Sequence, residues 1–274
     1  MQNKKIAFLG SGNMARSLIS GLIKAGIPAK NIHATGVNSA KIEHLAGELD
    51  IVGSTNNTIA AKNADVIVLA VKPQFMADML STLSDSITDY SGKLVISIAA
   101  GVSITQLSKL LHGHTNIIRC MPNTPSLIGA GITGLFASDI VSAVERHFTE
   151  AMFTAIGKSI WVDTEADINK ITAISGSGPA YFFFFMQAMV EEAQRMGFTA
   201  DTARVLVQET ALGAAKLVIN KPEIDLITLR EQVTSKGGTT AAAIRVFEEG
   251  NLPILISNAM KAALYRSEEI EKSC

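Results

Sequence analysis

Residues 5–15 read KIAFLGSGNMA, and they are the first indication of the fold class. A short apolar run leads into a GxGxxA motif that opens a helical pattern, which is the context in which such a motif binds a dinucleotide. Gly10 allows a tight turn, Gly12 lets the backbone approach a pyrophosphate, and Ala15 permits close helix packing. The N–H groups at the helix start add a partial positive charge. Against the alternative of a purely structural glycine turn, we predict cofactor contacts at Gly10, Ser11, Gly12, Asn13 and Met14.

Short β-branched runs alternate with helical patterns up to about residue 162. The runs lie at residues 5–9, 31–34, 66–71, 94–99 and 116–121, and two later ones lie at 131–137 and 159–162. Apolar residues at helical spacing fall between them, at 14–25, 40–49 and 141–156. This alternation predicts βαβ units and an α/β fold of the Rossmann type, with a doubly wound parallel sheet covered by helices on both faces.

The pattern changes after Asp163, where strand signals give way to long stretches rich in Ala, Leu, Met and Glu. We predict a dinucleotide-binding domain over residues 1–163 and an all-α domain over residues 164–274. The helices of the second domain are unusually apolar around residues 182–185 and 205–218, so one monomer leaves apolar faces uncovered. These faces predict a homo-oligomer assembled through the second domain.

The composition argues against several classes of partner. The chain has 274 residues, of which 47% are hydrophobic, so it can fill a sizeable core. Its 24 Lys and Arg residues against 25 Asp and Glu residues create no basic field. The longest apolar stretch, residues 181–190, is too short to span a bilayer. We therefore expect a small-molecule partner, and neither nucleic acid nor a membrane.

The cysteines bear on location and on metal binding. Cys120 and Cys274 cannot make a disulfide framework, and no Cys/His cluster at metal spacing occurs. The apolar run after the first five residues is too short for a signal peptide. We expect a cytoplasmic protein without a metal.

Cofactor selectivity is predicted by residues 35–41, which read TGVNSAK. An NAD-selective site usually places Asp or Glu after the second strand to bind the ribose hydroxyls, and no carboxylate is present here. Asn38 and Ser39 can instead hydrogen-bond a 2′-phosphate, with Lys41 lending charge, which favours NADP. The alternative that Asn38 and Ser39 cap the following helix is compatible with this role.

Other candidate residues lie where further strands should end, because ligands bind at that edge of an open α/β sheet. Small residues there leave room for a nicotinamide ring, and the predicted cofactor contacts are Ala70, Val71, Lys72, Pro73, Ala99 and Ala100. Lys72 has the alternative of being a solvated charge. In the segment at 119–125, RCMPNTP, Cys120 is interpreted as packing and Asn123 as part of a stiff turn.

Two glycine-rich breaks interrupt the helical half, at residues 175–181 (SGSGPAY) and 234–240 (TSKGGTT). Each precedes a helix, where consecutive N–H groups form an anion site. Gly238, Thr239 and Thr240 can therefore hold a substrate carboxylate. The alternative is two ordinary capped helix starts.

The motifs GSGNMA, AVKP, AAGV, RCMPNTP, SGSGPAY and SKGGTT occur in the order seen in pyrroline-5-carboxylate reductases, and the chain resembles that family over nearly its whole length. SGSGPAY and GGTT are the distinctive segments. The resemblance implies reduction of L-1-pyrroline-5-carboxylate to L-proline by NADPH, with NADH as an alternative cofactor. It also implies a dimer formed through the helical domain, often assembled further into a ring of dimers.

The resemblance further implies roles for individual residues. Thr240 would hydrogen-bond the substrate ring nitrogen as the catalytic residue, and the backbone at 238–240 would take its carboxylate. Asn57 matches a cofactor-ribose contact. Ser175 and Glu165 match positions near the substrate.

The chain departs from the family pattern in two places. Lys236 replaces the proline of the usual SPGGTT, which removes a rigid φ angle and adds a charge. The connection at 221–229 is also longer than usual.

Two rival functions remain open on the sequence. A β-hydroxyacid dehydrogenase shares the two-domain plan, but it needs a lysine on the helix after its central glycine motif, and residues 181–187 read YFFFFMQ. The other rival is a catalytically silent NADP-binding sensor whose helical half docks another protein.

Overall fold

The computed structural model describes residues 3–273, the side chain of residue 273 excepted. The sequence predictions that involve Met1, Gln2 and Cys274 lie outside the described residues.

The predicted sheet is present, and it has eight strands within residues 3–273, one more than the seven runs identified in the sequence. They are β1 (Ile6–Leu9), β2 (Ile32–Thr35), β3 (Val52–Ser54), β4 (Val66–Leu69), β5 (Leu94–Ser97), β6 (Ile117–Met121), β7 (Gly131–Ala137) and β8 (Gly157–Trp161). Their spatial order is β3-β2-β1-β4-β5-β6-β7-β8. The order reverses between β1 and β4, which is the switch point where nucleotide ligands bind in such folds.

The first six strands are parallel, as predicted, whereas β7 pairs with β6 in the antiparallel sense and β8 follows β7. A parallel crossover needs a dozen or more residues. Only residues 122–130 separate β6 from β7, and they hold a short 3-10 turn at Thr124–Ile128. The last two strands therefore run opposite to the rest of the sheet.

Twelve α-helices occur among the described residues. They are α1 (Asn13–Lys24), α2 (Ser39–Leu49), α3 (Asn57–Lys62), α4 (Met76–Ser84), α5 (Ile104–Leu110), α6 (Ala143–Thr154), α7 (Asp167–Ile171), α8 (Gly178–Arg195), α9 (Ala200–Asn220), α10 (Leu226–Gln232), α11 (Thr239–Glu249) and α12 (Leu252–Ser273). No helix in residues 3–273 is both long enough and apolar enough to cross a bilayer.

The sheet has a hydrophobic core on each face, and β1 shows why. Successive side chains of a strand point to opposite faces. Ile6 and Phe8 belong to one buried cluster, while Ala7 and Leu9 belong to the other. All four side chains are fully buried, which explains why this strand reads as a continuous apolar run.

The chain divides into two compact units. The first comprises residues 3–177 together with 262–273, and the second comprises Gly178–Lys261. The last turns of α12 thus pack in the first unit, although they are distant in sequence from the rest of it. The boundary that we place at residue 163 from composition stays a prediction.

Candidate active site

The glycine turn between β1 and α1 has the backbone that a dinucleotide needs. Gly10 has a φ of +113°, and a Cβ there would lie 2.5 Å from the Ala70 carbonyl oxygen. At Gly12, which caps α1 without a side-chain hydrogen bond, a Cβ would meet nothing within 4 Å. Space is therefore open beside Gly12 at the start of α1, where the sequence predicts a pyrophosphate.

The ends of four neighbouring strands meet at this turn. The Gly10 N–H donates to the Thr35 carbonyl at 3.2 Å, the Ala70 N–H to the Leu9 carbonyl at 2.9 Å, and the Ile98 N–H to the Leu69 carbonyl at 3.1 Å. These bonds place the predicted residues Ala70, Val71, Lys72, Pro73, Ala99 and Ala100 at one edge of the sheet. Ala99 is buried, whereas Lys72 is exposed.

Asn57 is fixed beside the end of β2. The Thr35 hydroxyl lies 2.6 Å from the Asn57 side-chain oxygen and 3.2 Å from the Phe8 carbonyl. The neighbouring Asn56, not Asn57, caps α3, because its side chain accepts from the Ile59 N–H. Asn57 is thus held at the sheet edge by a tertiary contact.

A cavity adjoins the region predicted to bind the 2′-phosphate, and of Asn38, Ser39 and Lys41 only Lys41 lines it. Asn38 caps α2 by accepting from the Lys41 N–H at 3.0 Å, so the capping alternative holds for Asn38 alone, and Ser39 is exposed at the first helical position. A cavity of about 420 Å³ lies between the first turns of α1 and α2. Its walls are Ser11, Gly12, Asn13, Arg16, Ala40, Lys41, His44 and Leu45. Arg16 and His44 are not among the residues predicted from the sequence, although Lys41, His44 and Leu45 have the spacing of one helix face.

The predicted substrate loop, in the second unit, opens α11. Gly237 has a φ of +73°, and Gly238 caps the helix without a side-chain hydrogen bond. The Gly238 N–H already donates to the Ser235 carbonyl at 3.0 Å. Helix geometry leaves the N–H groups of Thr239 and Thr240 without intrahelical acceptors. An anion site here therefore relies on Thr239 and Thr240 rather than on the Gly238 N–H.

Ser175, in the first unit, lies in a single π-helical turn at Thr172–Gly176, a geometry that is frequent at functional sites. Asn123 holds this turn in place. Its side-chain nitrogen donates to the Ser175 carbonyl at 3.0 Å, and its side-chain oxygen accepts from the Ile132 N–H at 2.9 Å. The buried Asn123 therefore does more than form the stiff turn that the sequence suggested.

Glu165 belongs to an ion cluster centred on the buried Arg119, for which the sequence predicts no role beyond the motif at 119–125. The Arg119 side chain is fully buried on β6, and its Nη1 lies 3.0 Å from Glu165 Oε1 and also contacts Glu271 of α12. Glu165 Oε1 accepts from the Ile104 N–H at 2.6 Å, and Glu271 contacts Asn169. Glu165 therefore joins the start of α5 to the sheet.

Similarity to known proteins covers both parts of the chain. Residues 165–270 match the family model for pyrroline-5-carboxylate reductase dimerisation, and residues 5–101 match that for NADP oxidoreductases, coenzyme F420-dependent. A pyrroline-5-carboxylate reductase of Vibrio alginolyticus is 49% identical, over 99% of this chain and 99% of its own length. The chain belongs to the pyrroline-5-carboxylate reductase family.

Solved structures of this family have the same architecture. A pyrroline-5-carboxylate reductase from Coxiella burnetii is 42% identical with a TM-score of 0.89, covering 97% of this chain and 98% of that one. A pyrroline carboxylate reductase from Plasmodium falciparum with NADP bound is 27% identical with a TM-score of 0.88, covering 99% of both chains. Family membership over the whole length leaves no support for the β-hydroxyacid dehydrogenase alternative.

Cys120 lies on β6 next to Arg119 and is fully buried. Burial raises the pKa of its thiol well above the usual range, so the reactive thiolate is scarce. The interpretation of Cys120 as a packing residue agrees with this environment. Residues 3–273 contain no group of three or more His, Cys, Asp or Glu side chains arranged to hold a metal ion.

We predict that Cys120 resists alkylation in the folded protein. In a Cys274→Ser background, a maleimide should modify Cys120 at least about 100-fold more slowly than in denatured protein, because the thiol must be exposed by opening of the core. Mass spectrometry of timed samples measures both rates. Comparable rates in folded and denatured protein would show that Cys120 is accessible and contradict its burial.

Proposed function

We propose that this protein reduces L-1-pyrroline-5-carboxylate to L-proline with NADPH, the final step of proline biosynthesis. The observation that carries this function is the family membership over the whole chain, which includes both the glycine turn and the dimerisation segment. NADP(H) as cofactor is supported by the family match of residues 5–101 and by the related structure with NADP bound.

We also propose that NADPH is preferred over NADH. The support is electrostatic, since Asn38, Ser39 and Lys41 follow β2 where an NAD-selective site usually carries an acidic residue. Gly10, Ser11, Gly12, Asn13 and Met14 hold the pyrophosphate in this proposal, and Asn57 contacts a ribose. Ala70 to Pro73 and Ala99 to Ala100 surround the nicotinamide end at the strand edge.

For the substrate, we propose that the N–H groups of Thr239 and Thr240 bind the carboxylate, within the segment 238–240. The Thr240 hydroxyl then hydrogen-bonds the ring nitrogen and orients the C=N bond. Bound NADPH supplies the hydride. The GGTT and SGSGPAY segments contain no His or carboxylate, which suits an imine that enters already protonated.

Ser175 and Glu165 are proposed to lie near the substrate in the assembled enzyme. Because Glu165 pairs with Arg119 and accepts the Ile104 N–H, it acts in this proposal through position and charge rather than as a proton donor. Ser175 is presented by the π-helical turn that Asn123 holds.

The test is NADPH oxidation by the purified protein with pyrroline-5-carboxylate, repeated with NADH and with pyrroline-2-carboxylate. We expect rapid oxidation that depends on the C5 imine and is faster with NADPH. Absence of turnover with both imines, despite NADPH binding, would refute the proposed reaction and favour the silent NADP-binding sensor.

The protein is a homo-oligomer, as its dimerisation segment indicates. The second unit exposes a row of aromatic side chains on α8, Phe182 to Phe185, which are 45–73% exposed in the monomer. Exposed apolar surface of this kind marks an interface. We propose that α8 forms the dimer contact and that dimers assemble further into a ring.

We predict that Phe184→Glu weakens the dimer. Phe184 is 73% exposed on α8, and a carboxylate buried in an apolar interface carries a high desolvation cost. The dimer dissociation constant should rise at least about tenfold. Sedimentation velocity measures the mass distribution, and Ile140→Glu, at a 64% exposed residue outside α8, serves as the control. An unchanged mass for Phe184→Glu would place the interface elsewhere.

Two assignments stay predictions from the sequence. We propose that residues 164–274 are the domain for substrate binding and dimerisation and that residues 1–163 bind the cofactor. A cytoplasmic location is proposed from the cysteine usage.

A further inference from the structure

The cavity between α1 and α2 carries more positive charge than the motif after β2 predicts. Among the described residues that line it, the charged or titratable ones are Arg16, Lys41 and His44, and none is a carboxylate. Arg16 comes from α1, whose N-terminus belongs to the proposed pyrophosphate site, whereas Lys41 and His44 come from α2. Basic groups on two different elements thus surround one cavity of about 420 Å³.

The cavity lies where the adenosine ribose of a dinucleotide is expected. Gly12 and Asn13 belong to its wall and also to the predicted pyrophosphate site. The loop after β2 approaches the same turn, because a Cβ on Gly36 would lie 2.5 Å from the Ser11 hydroxyl oxygen. The ribose attached to that pyrophosphate contacts residues after the second strand. Its 2′ position therefore falls within reach of the cavity.

The Arg16 side chain reaches from α1 to α2. Its guanidinium contacts Glu48, one turn beyond His44 on α2, and His44 Nδ1 lies 3.9 Å from the other Glu48 oxygen. Side-chain exposures of 48% for Arg16 and 38% for Glu48 leave this pair solvated. Exposed pairs of this kind contribute about 0–1 kcal/mol, so Arg16 loses little when it turns to a phosphate.

We propose that Arg16 and His44, together with Lys41, bind the 2′-phosphate of NADP(H), and that Arg16 is the principal residue selecting NADP(H) over NAD(H). Arginine suits this role because its guanidinium can donate two parallel hydrogen bonds to a phosphate. A ribose hydroxyl offers neither the charge nor the paired acceptors. The inference rests on the proposed function for the identity of the cofactor.

The test compares 2′,5′-ADP with 5′-AMP, two fragments that differ only in the 2′-phosphate, by titration calorimetry on the intact protein. Arg16→Ala should weaken 2′,5′-ADP binding roughly 10- to 100-fold, the range for a hydrogen bond between charged groups, and leave 5′-AMP within about twofold. Arg16→Lys and His44→Gln should each lose less affinity for 2′,5′-ADP than Arg16→Ala does. Lys24→Ala, which removes a cation at the far end of α1, is the matched control and should change neither affinity.

Equal weakening of both fragments, or no weakening of 2′,5′-ADP, would overturn the inference. Neither result would contradict imine reduction by the wild-type protein. Failure of the proposed reaction would instead appear as absence of turnover with selective 2′,5′-ADP binding preserved. The binding and turnover measurements therefore separate the two conclusions.

Discussion

Arg119→Ala is expected to lower the free energy of unfolding by about 3–5 kcal/mol, the range for breaking a buried ion pair from one side. Arg119 is fully buried, and its removal leaves Glu165 and Glu271, only 22–26% exposed, without their shared cation. The cavity left by the guanidinium adds to the loss. The effect should also loosen the end of α12, because Glu271 contacts Arg119 and Asn169.

Urea denaturation followed by circular dichroism at fixed protein concentration measures this change. Arg266→Ala is the matched control, because Arg266 pairs with Glu269 on the surface with 70% and 64% of the side chains exposed. The control should change stability by no more than about 0.5 kcal/mol. If Arg119→Ala does not fold, Glu165→Gln is the milder variant, because it keeps an acceptor for the Ile104 N–H and removes one charge. Wild-type stability in both Arg119→Ala and Glu165→Gln would show that the cluster does not stabilise the fold.

Thr240→Val is expected to lower kcat roughly 100-fold, the loss typical when one polar catalytic contact is removed. Valine keeps the shape of threonine but lacks the hydroxyl that we assign to the substrate ring nitrogen. The backbone N–H of residue 240 is retained, so the carboxylate site should survive. NADPH binding should be unchanged, since the glycine turn belongs to the other compact unit.

Thr240→Ser, which restores a hydroxyl, should recover most of the activity. Steady-state kinetics with pyrroline-5-carboxylate, together with NADPH titration, separates turnover from cofactor binding. Full turnover by Thr240→Val would exclude the proposed role of the hydroxyl. A loss of NADPH binding equal to the loss of turnover would point to a folding defect instead.

Much of the fold could be predicted from the sequence because its signals are local. The apolar run before Gly10, the alternation of strands and helices, and the change of composition after Asp163 each involve neighbouring residues. The antiparallel β7 could not be read from its own residues, since the direction of a strand depends on its connection and its partner. The strand β3, only three residues with Gly53 at its centre, carries too weak a pattern to identify.

Some features of the candidate site could likewise be predicted from the sequence, whereas others appear only in the folded chain. The glycine turn, the absence of a carboxylate after β2 and the GGTT helix start are visible in short segments. Arg16 cannot be identified as a cavity residue from the sequence, because residues of both α1 and α2 form the cavity. Likewise, the Gly238 N–H is a candidate donor on the sequence, yet the folded loop pairs it with the Ser235 carbonyl.

The nucleotide-binding architecture, the helical second half and the family resemblance could be predicted without coordinates, because strand and helix periods and motif spacings are properties of adjacent residues. The folded chain was needed to identify the partners of Arg119, which are 46 and 152 positions away in the chain, and the contact of Asn123 with Ser175, 52 positions away. Such contacts depend on how distant segments pack, and a local sequence pattern does not show which distant residues come together.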